Sequence, residues 1–429
     1  MSKSIKLSNA VKYSNKRINV DDISVADFVS TDNLLQNKLG KTNAIKLPAL
    51  KGLMPGYRNE DILVGNIRPY LRKIWFADKE SGCSADVLVF EVNKFKHPKF
   101  IYYTLFRDDF FDHMMKGSKG TKMPRGDKKQ ILDFLIPDFK FEEQQKIAKV
   151  LSDLDAKIEI NNRINSELEA MAKTLYDYWF VQFDFPHVTS SGVEKPYKSS
   201  GGKMVWNAEL KREIPEGWKV KTLLDIATFV NGLACQKFRP NDNEESYRVI
   251  KIREMGTGFT ENSEFVSINI PEKVVIQNGD ILFSWSATLD VKIWTGGTGA
   301  LNQHIFKVTS NDFPKSYFYF ELLNYLQHFK MQAELRKTTM GHITQDHLRQ
   351  SRITIPTLEL IEKLDEILKP ILDKKVKLEE ENQELASLRD WLLPMLMNGQ
   401  VSAGDVEALR QPQDDMLGMV AEPREIYKN

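Results

Sequence analysis

The four residues Glu60-Asp61-Ile62-Leu63 return downstream as Gly279-Asp280-Ile281-Leu282, 219 residues later. Further matches fall at the same offset: Trp75 with Trp294, Asp127 with Asp346, and Ile136-Pro137 with Ile355-Pro356. A heptad pattern follows each Ile-Pro pair, and the two patterns match at an offset of 217. The chain therefore contains two copies of a domain followed by a helix. A pseudo-symmetric molecule of this kind is expected to engage a ligand that itself has two parts.

The two heptad segments predict long helices with one apolar stripe each, which we call the seam. Seam residues of the first segment are Ile147, Leu151, Leu154, Ile158, Asn161, Asn165, Leu168, Ala172 and Leu175. Those of the second are Leu364, Leu368, Ile371, Lys375, Leu378, Asn382, Leu385, Arg389 and Leu392. A helix of ~35 residues is roughly 50 Å long. Because neither seam can be buried alone, the pattern predicts an antiparallel coiled coil within the chain.

Asn165 and Asn382 occupy equivalent positions in the two seams. A polar seam residue lowers stability but can fix the register of the two helices. The alternative is that both asparagines are simply tolerated beside a solvated stretch of the pair.

The segments outside the helices predict mixed, β-rich structure. Short apolar runs at 61–64 and 87–90 predict strands, and the aromatic residues of 100–115 predict a helix. The pattern returns as strands at 281–283 and 305–308 and a helix over 317–331. The predicted class is α+β, with two pseudo-symmetric modules joined by two long helices. We assign residues 1–140 to the first module, 141–182 to the first helical region, 183–204 to a Pro/Gly/Ser-rich linker, 205–356 to the second module, 357–399 to the second helical region and 400–429 to a C-terminal tail.

Charge is distributed unevenly along a chain whose net charge is only +1. Residues 1–140 carry +9 and 186–356 carry +3, whereas 141–185 carry −4 and 357–429 carry −7. Basic modules suit a polyanion, and acidic helices suit a protein partner or each other. Two distant cysteines, no signal peptide and no apolar run of ~18 residues lead us to expect a cytoplasmic protein without membrane contact.

The strongest candidate for ligand contact is a basic loop over residues 116–129, in which six cations alternate with Gly, Ser and Thr. Glycines let the backbone approach phosphates, and hydroxyls can donate to them. Its candidate DNA-binding residues are Lys116, Ser118, Lys119, Thr121, Lys122 and Arg125, with counterparts Arg336, Lys337, Thr338 and Thr339 in the second module. The alternative is a solvated charged loop.

A second candidate follows the Asp-Ile-Leu strand of each module. Arg can pair with guanine and Asn with adenine in the major groove, and Ser or Thr can contact either base. The residues in question are Asn66, Arg68, Tyr70, Arg72 and Lys73 in the first module and Ser284, Trp285 and Ser286 in the second. A hairpin turn with incidental polarity explains them equally well. Weaker candidates of the same kind are Gln236, Lys237, Arg239, Arg253, Gln303 and His304.

The sequence contains no recognisable catalytic motif. The chain has no Asn-Pro-Pro-Tyr/Phe tetrapeptide of amino-methyltransferases and no phosphate-binding loop of Walker spacing. The seven histidines show no metal-ligand spacing. We therefore expect a chain without catalysis, cofactor or metal of its own.

Several segments resemble the specificity subunit of type I restriction–modification enzymes. Ile214-Pro215-Glu216-Gly217-Trp218 is similar to the start of a target-recognition domain in that family, and Asn302-Gln303-His304 and the Gly279 to Leu282 strand fit as well. Residues 171–186 resemble the central helical region of the family, and 388–394 with Asn398-Gly399 resemble its C-terminal helical region. The first module departs from the pattern in lacking a Pro-x-Gly-Trp start.

The resemblance implies that two target-recognition domains each recognise one half of a bipartite site on double-stranded DNA, while the paired helices set the spacing. It implies two modification subunits, docked on the helices, that methylate adenine with S-adenosylmethionine. It also implies restriction subunits that use ATP and Mg. The specificity subunit itself would be non-catalytic. Two competing hypotheses are a coiled-coil scaffold with two protein-binding modules and a stand-alone nuclease or methyltransferase.

Overall fold

We describe the protein from a computed structural model that covers residues 3–49, 51–120, 122–335 and 343–410. The described chain forms two compact units. The first unit takes its residues from Met1–Lys157 and Leu385–Asn429, and the second unit is Ile158–Glu384. Each long helix contributes one part to each unit, because the unit boundaries fall inside both helices.

Ten α-helices are described, and none of them is long and apolar enough to span a bilayer. They are α1 (Pro98–Leu105), α2 (Asp108–Lys116), α3 (Lys128–Ile131), α4 (Phe141–Tyr176), α5 (Leu223–Ile226), α6 (Ile252–Thr257), α7 (Lys315–Leu335), α8 (Gln345–Gln350), α9 (Leu358–Asn398) and α10 (Ala403–Arg410). A π-helical turn, Asp177–Val181, continues α4. Short 3-10 helices lie at Leu7–Asn9, Val20–Asp22, Val25–Asp27, Pro69–Leu71, Cys235–Lys237 and Glu272–Val274.

The described strands number nine in the first unit and fourteen in the second. The first nine are β1 (Ser4–Lys6), β2 (Val11–Tyr13), β3 (Arg17–Asn19), β4 (Leu53–Tyr57), β5 (Ile62–Gly65), β6 (Ile74–Phe76), β7 (Ser81–Gly82), β8 (Val87–Val92) and β9 (Leu135–Pro137). The others are β10 (Pro186–Val188), β11 (Glu194–Pro196), β12 (Met204–Asn207), β13 (Arg212–Pro215), β14 (Lys219–Lys221), β15 (Thr228–Asn231), β16 (Ser246–Ile250), β17 (Phe265–Ser267), β18 (Val275–Ile276), β19 (Ile281–Ser284), β20 (Asp290–Ile293), β21 (Gly299–Leu301), β22 (Ile305–Thr309) and β23 (Ile353–Ile355).

The core of the first unit is an antiparallel sheet of order β2-β8-β5-β6. Ile62 and Val64 of β5 face a core that includes Phe100 and Phe110 of the helices. Leu63, between them, faces the opposite side and packs in the cluster around Tyr57. Because both faces are covered, the strand is apolar throughout rather than alternating. A three-stranded sheet, β3-β4-β7, and the pair β1-β9 complete the unit's strands.

The second unit repeats this arrangement. Its central sheet has the order β15-β22-β19-β20, again antiparallel, and β14 pairs with β23 as β1 pairs with β9. Ile281 and Phe283 face one core and Leu282 faces the other, as in β5. The other sheet differs, since it has four strands in the order β17-β16-β21-β18. The repeat thus preserves the central sheet and varies the sheet beside it.

The two long helices run antiparallel. In the second unit, Asn161 donates to Asn382 at 2.9 Å, and Glu169 pairs with Lys375 at 3.3 Å. In the first unit, Asp155 pairs with Arg389 at 2.7 Å. In the second unit, partner numbers fall along α9 as they rise along α4, which is the antiparallel sense. No predicted seam residue is exposed, so the predicted seams and the predicted antiparallel pairing are confirmed.

Beyond the Asp-Ile-Leu strand, some counterpart residues of the repeat are not the ones that the sequence matches suggest. Val64 pairs with Ile74, whereas Phe283, which occupies the place of Val64, pairs with Val291, so this hairpin is two residues shorter in the second unit. Further on, α3 follows Asp127 and α8 follows Thr344, 217 residues later. The sequence offset between the two copies therefore changes from 219 to 217 within the module, and not at the junction between the module and its long helix. Trp75 with Trp294 and Asp127 with Asp346 match in sequence without being structural counterparts.

The interval 183–204, which the sequence predicts to be a linker, contains the β10-β11 hairpin. Phe185, buried within it, stacks on Tyr197 and Trp218, which explains why the segment is packed against the second module. The helix predicted over 100–115 is two helices, α1 and α2. The acidic Asp108 and Asp109 open the second of them, as favoured by the helix dipole.

Candidate nucleic-acid interface

In the first unit, the two predicted contact segments form one surface. The hairpin between β5 and β6 is bonded along its backbone to the basic loop. Ile67 and Arg125 form a β-bridge, and the Arg68 N–H donates to the Pro124 carbonyl at 2.8 Å. We call this the first composite surface, residues 66–73 with 116–126 except Thr121, which lies outside the described residues.

The basic loop has a defined backbone. Lys119 and Arg125 exchange two backbone hydrogen bonds of 3.0 Å, which closes the loop between them. The side chain of Lys119 is 85% exposed and that of Arg125 is 59% exposed. Lys116 and Lys122 are exposed as well. Three of these cations lie in the closed loop and Lys116 ends the helix before it. Such a loop is suited to a polyanion, because it holds the charges near phosphates at a low cost in chain entropy.

Several of the predicted hairpin residues are held by the protein itself. Asn66 is buried, and Arg72 donates to Asp108 at 3.0 Å. Lys73 donates to the Thr31 carbonyl, and burial lowers the pKa of its ammonium group. Arg68 is half-buried, with a left-handed backbone. These residues shape the hairpin, and Tyr70 is left exposed at its tip.

The second unit assembles its predicted residues at the corresponding end of its central sheet. The Trp285 N–H donates to the His304 carbonyl at 3.3 Å, and the two rings lie 5.6 Å apart. The Gln303 N–H donates to the Leu233 carbonyl at 2.8 Å, next to the turn that exposes Gln236 and Lys237. We call this the second composite surface, residues 231–237, 284–288 and 302–304.

Ser284, Ser286 and Arg253 have roles inside the protein. Ser284 and Ser286 are buried, and the Ser284 hydroxyl donates to the Thr288 carbonyl at 2.6 Å. The guanidinium group of Arg253 donates to the buried carboxylate of Glu254 and to the Asn262 carbonyl. These three residues stabilise turns in the described conformation. The remaining candidates, Arg336, Lys337, Thr338 and Thr339, lie outside the described residues.

The two composite surfaces share one backbone frame. The Gly126 N–H donates to the Asn66 carbonyl at 3.3 Å, and the Ile343 N–H donates to the Trp285 carbonyl at 2.9 Å. Gly126 and Ile343 each stand directly before the residue that caps the following short helix, Asp127 or Thr344. The same end of the sheet therefore receives the same chain segment in both units, while the side chains differ.

Two polar residues at these surfaces are not among those predicted from the sequence. Asp86 lies just before β8, and its carbonyl accepts the Asn66 N–H at 2.9 Å. Asn231 ends β15 and accepts the Trp285 indole N–H at 3.2 Å. Asp86 precedes β8, a predicted strand, and Asn231 ends β15, which lies in the same sheet as the predicted strands β19 and β22. A single polar residue at the end of a strand carries no periodic signal. Only the strand order would have revealed them.

The described residues contain no cluster of three or more His, Cys, Asp or Glu placed to bind a metal ion. Cys83 and Cys235 are buried free thiols, and burial raises the pKa of the Cys83 thiol to about 12. A thiol with so high a pKa is largely protonated near neutral pH and is a poor nucleophile.

Comparison with known proteins gives a consistent result. The family model described as "Type I restriction modification DNA specificity domain" matches residues 13–170 and 215–387. The HindI specificity subunit of Haemophilus influenzae is 25% identical, covering 87% of this chain and 94% of the relative. The MjaIX specificity subunit of Methanocaldococcus jannaschii is 26% identical over 71% of this chain and 69% of the relative.

A solved structure shares the fold. The S subunit of a type I restriction-modification system from M. genitalium aligns with a TM-score of 0.54 at 14% identity, covering 92% of this chain and 96% of that one. The family model matches the chain twice, once in each half, in agreement with the internal repeat. The two matches together span well over half of the residues, and the chain therefore belongs to the type I restriction modification DNA specificity family.

Proposed function

We propose that the two modules of this specificity subunit each recognise one half of a bipartite site on double-stranded DNA, through the two composite surfaces. The observation that carries the proposal is the shared backbone frame with unlike side chains. Lys119 and Arg125 stand exposed on the first surface, and Gln236 and Lys237 on the second. A common frame suits a common ligand, and different side chains suit two different half-sites.

We propose that the paired helices set the nonspecific gap between the half-sites. The support is the antiparallel pairing of α4 with α9 in the second unit, a contact between the same helices in the first, and a seam without exposed residues. A coiled-coil pair of this kind resists bending, and its length in residues fixes a length in ångströms.

The same helices are proposed to dock two modification subunits. Met171 on α4 is 62% exposed and Leu388 on α9 is 44% exposed, and the two lie 217 residues apart, at counterpart positions. Trp391, one turn beyond Leu388, is 56% exposed. Exposed apolar side chains at counterpart positions fit two copies of one partner. The helical segments also carry negative charge, which would complement basic patches on such partners.

We propose that the chemistry of the complex resides in those partners. The modification subunits would supply methylation with S-adenosylmethionine, and the restriction subunits would supply ATP- and Mg-dependent cleavage. The support is the sequence itself, which holds no motif for either reaction. This chain would then contribute only the recognition of the DNA sequence.

The test is DNA binding and methylation by the chain purified with its modification subunits. The methylated motif is determined by sequencing host DNA, and affinity is measured over a range of salt concentrations. The proposal expects a two-part motif and a log K that falls with log salt by about 0.9 per phosphate contacted. A salt-independent affinity, or no motif, would support the scaffold hypothesis instead. Methylation or cleavage by this chain alone would show that it is an enzyme.

A further inference from the structure

We propose that Arg125 specifies a base and that Asp86 positions it, so that this pair, and not the lysines beside it, determines one position of the first half-site. The inference rests on the proposed function, because it names the residues of one composite surface that discriminate between bases. It separates Arg125 from Lys116 and Lys122, which are exposed cations of the same basic loop and would contact phosphates.

The backbone of Arg125 is fixed on two sides. It exchanges two hydrogen bonds of 3.0 Å with Lys119 and forms a β-bridge with Ile67 of the hairpin. A phosphate contact needs only a cation on a flexible stem, whereas recognition of a base edge requires a side chain with a defined origin. Lys119 shares the two hydrogen bonds, but of these two cations only Arg125 also forms a β-bridge with the hairpin.

The guanidinium group is oriented by a carboxylate. Arg125 Nη2 lies 3.0 Å from Asp86 Oδ1. Asp86 is itself fixed, because its N–H donates to the Ser84 hydroxyl at 3.2 Å and its carbonyl accepts the Asn66 N–H at 2.9 Å. The Arg125 side chain stays 59% exposed, so the ion pair orients the planar fork without covering it.

The sign of the charge favours a base over a phosphate. A carboxylate 3.0 Å from the guanidinium group offsets its charge and repels a phosphate that approaches the same group. A guanine edge is neutral and offers two acceptors, O6 and N7, which match the arginine fork. The carboxylate of Asp86 is 35% exposed and can accept from the amino group of a neighbouring cytosine.

The second unit places a different side chain at the same point. The Asp86 carbonyl accepts the Asn66 N–H, and the His304 carbonyl accepts the Trp285 N–H, which is the counterpart bond. Asp86 and His304 are therefore structural counterparts with unlike chemistry. A position that keeps its backbone role and changes its side chain between two modules is suited to determine sequence preference.

The experiment compares four variants in the chain purified with its modification subunits. Arg125→Lys keeps the charge but loses the fork, and Asp86→Asn keeps the shape but loses the charge. Lys122→Ala removes an exposed cation of the same loop. Glu91→Gln is the matched control for Asp86, since Glu91 is also ion-paired and lies at the opposite end of β8. Each variant is tested by sequencing methylated DNA and by competition binding to duplexes altered one base pair at a time.

The expected result is that Arg125→Lys and Asp86→Asn lose about tenfold or more of the discrimination at the same single position of one half-site. Their binding to unrelated DNA should not fall. Lys122→Ala should weaken binding to all duplexes by one factor and lower the salt slope by about 0.9, and Glu91→Gln should leave the motif unchanged. Equal weakening on every duplex by Arg125→Lys, with an unchanged motif in Asp86→Asn, would overturn the inference. If the wild-type complex itself preferred no sequence, the proposed function would fail instead.

Discussion

Glu321 is a buried acid whose ionisation should couple stability to pH. It lies on α7, 8% exposed, and accepts the Tyr176 hydroxyl at 2.7 Å. Burial raises the pKa of its carboxyl from 4.5 to about 7. Between these values the folded protein holds a proton that the unfolded chain has released. The free energy of unfolding should therefore fall as pH rises from 4.5 to 7, by at most about 1.4 kcal/mol per pH unit.

Glu321→Gln should remove this contribution, because glutamine stays neutral and can still accept from Tyr176. The thermal midpoint of the variant should change less between pH 5 and pH 8 than that of the wild type. The exposed Glu362→Gln on α9 is the control for loss of a carboxylate. An unchanged pH dependence in Glu321→Gln would show that this carboxyl titrates normally in the folded protein.

The asparagines in the seam of the paired helices differ in what they contribute. Asn382 donates to Asn162 at 2.8 Å and accepts from Asn161 at 2.9 Å. Asn165 is buried, and within the described part of the chain neither polar atom of its side chain has a hydrogen-bond partner. The two residues are counterparts in the repeat, but only Asn382 is placed to fix the register of the pair.

This difference predicts opposite effects of one substitution. Asn165→Leu should stabilise the protein by about 1 kcal/mol, because it removes an unsatisfied buried amide. Asn382→Leu should destabilise it by a similar amount, since Asn161 loses an acceptor in the seam. Urea unfolding followed by circular dichroism measures both. Destabilisation of equal size in the two variants would mean that Asn165 is bonded in solution.

We predict that the modification subunits bind the outer face of the two long helices. Met171→Ser and Leu388→Ser should each weaken the attachment of one modification subunit, because these exposed residues are counterparts on α4 and α9. Native mass spectrometry should find one modification subunit in place of two for either variant and none for the double variant. Phe95→Ser, at a 73% exposed residue outside the helices, is the control. Two subunits retained by the double variant would place the docking surface elsewhere.

Elements with a periodic signal were predictable, and contacts between loops were not. The seams were predictable because their buried residues repeat with the helical period. The strand at Ile62 was predictable because both of its faces are buried, so that it is a continuous apolar run. The hairpin and the basic loop are joined by backbone hydrogen bonds such as Arg68 to Pro124, which any side chain can make. The sequence matches of Trp75 and Asp127 gave the wrong structural counterparts because the β19-β20 hairpin is two residues shorter than the β5-β6 hairpin. This shortening shifts the counterparts by two residues but leaves the sequence pattern recognisable.

At the scale of the whole molecule, the repeat explains both what the two units share and what they do not. The central sheet and its loop frame are kept, while the adjacent sheet has three strands in the first unit and four in the second. Asp86 and His304 likewise accept the equivalent backbone hydrogen bond in the two units but have unlike side chains. Under the proposed function, a duplicated frame with divergent surfaces would allow each half-site to change separately.

The proposed spacing role of the helices leads to the last prediction. A seven-residue insertion in both helices, after Glu159 in α4 and after Glu384 in α9, preserves the heptad phase of each seam. It lengthens each helix by about 10 Å, which corresponds to about three base pairs at 3.4 Å each. The methylated motif of this variant should keep both half-sites and gain about three base pairs between them. An insertion in α9 alone breaks the pairing of the seams and should abolish methylation. An unaltered gap in the double insertion would refute the spacing role, because the half-sites would then be set by something other than helix length.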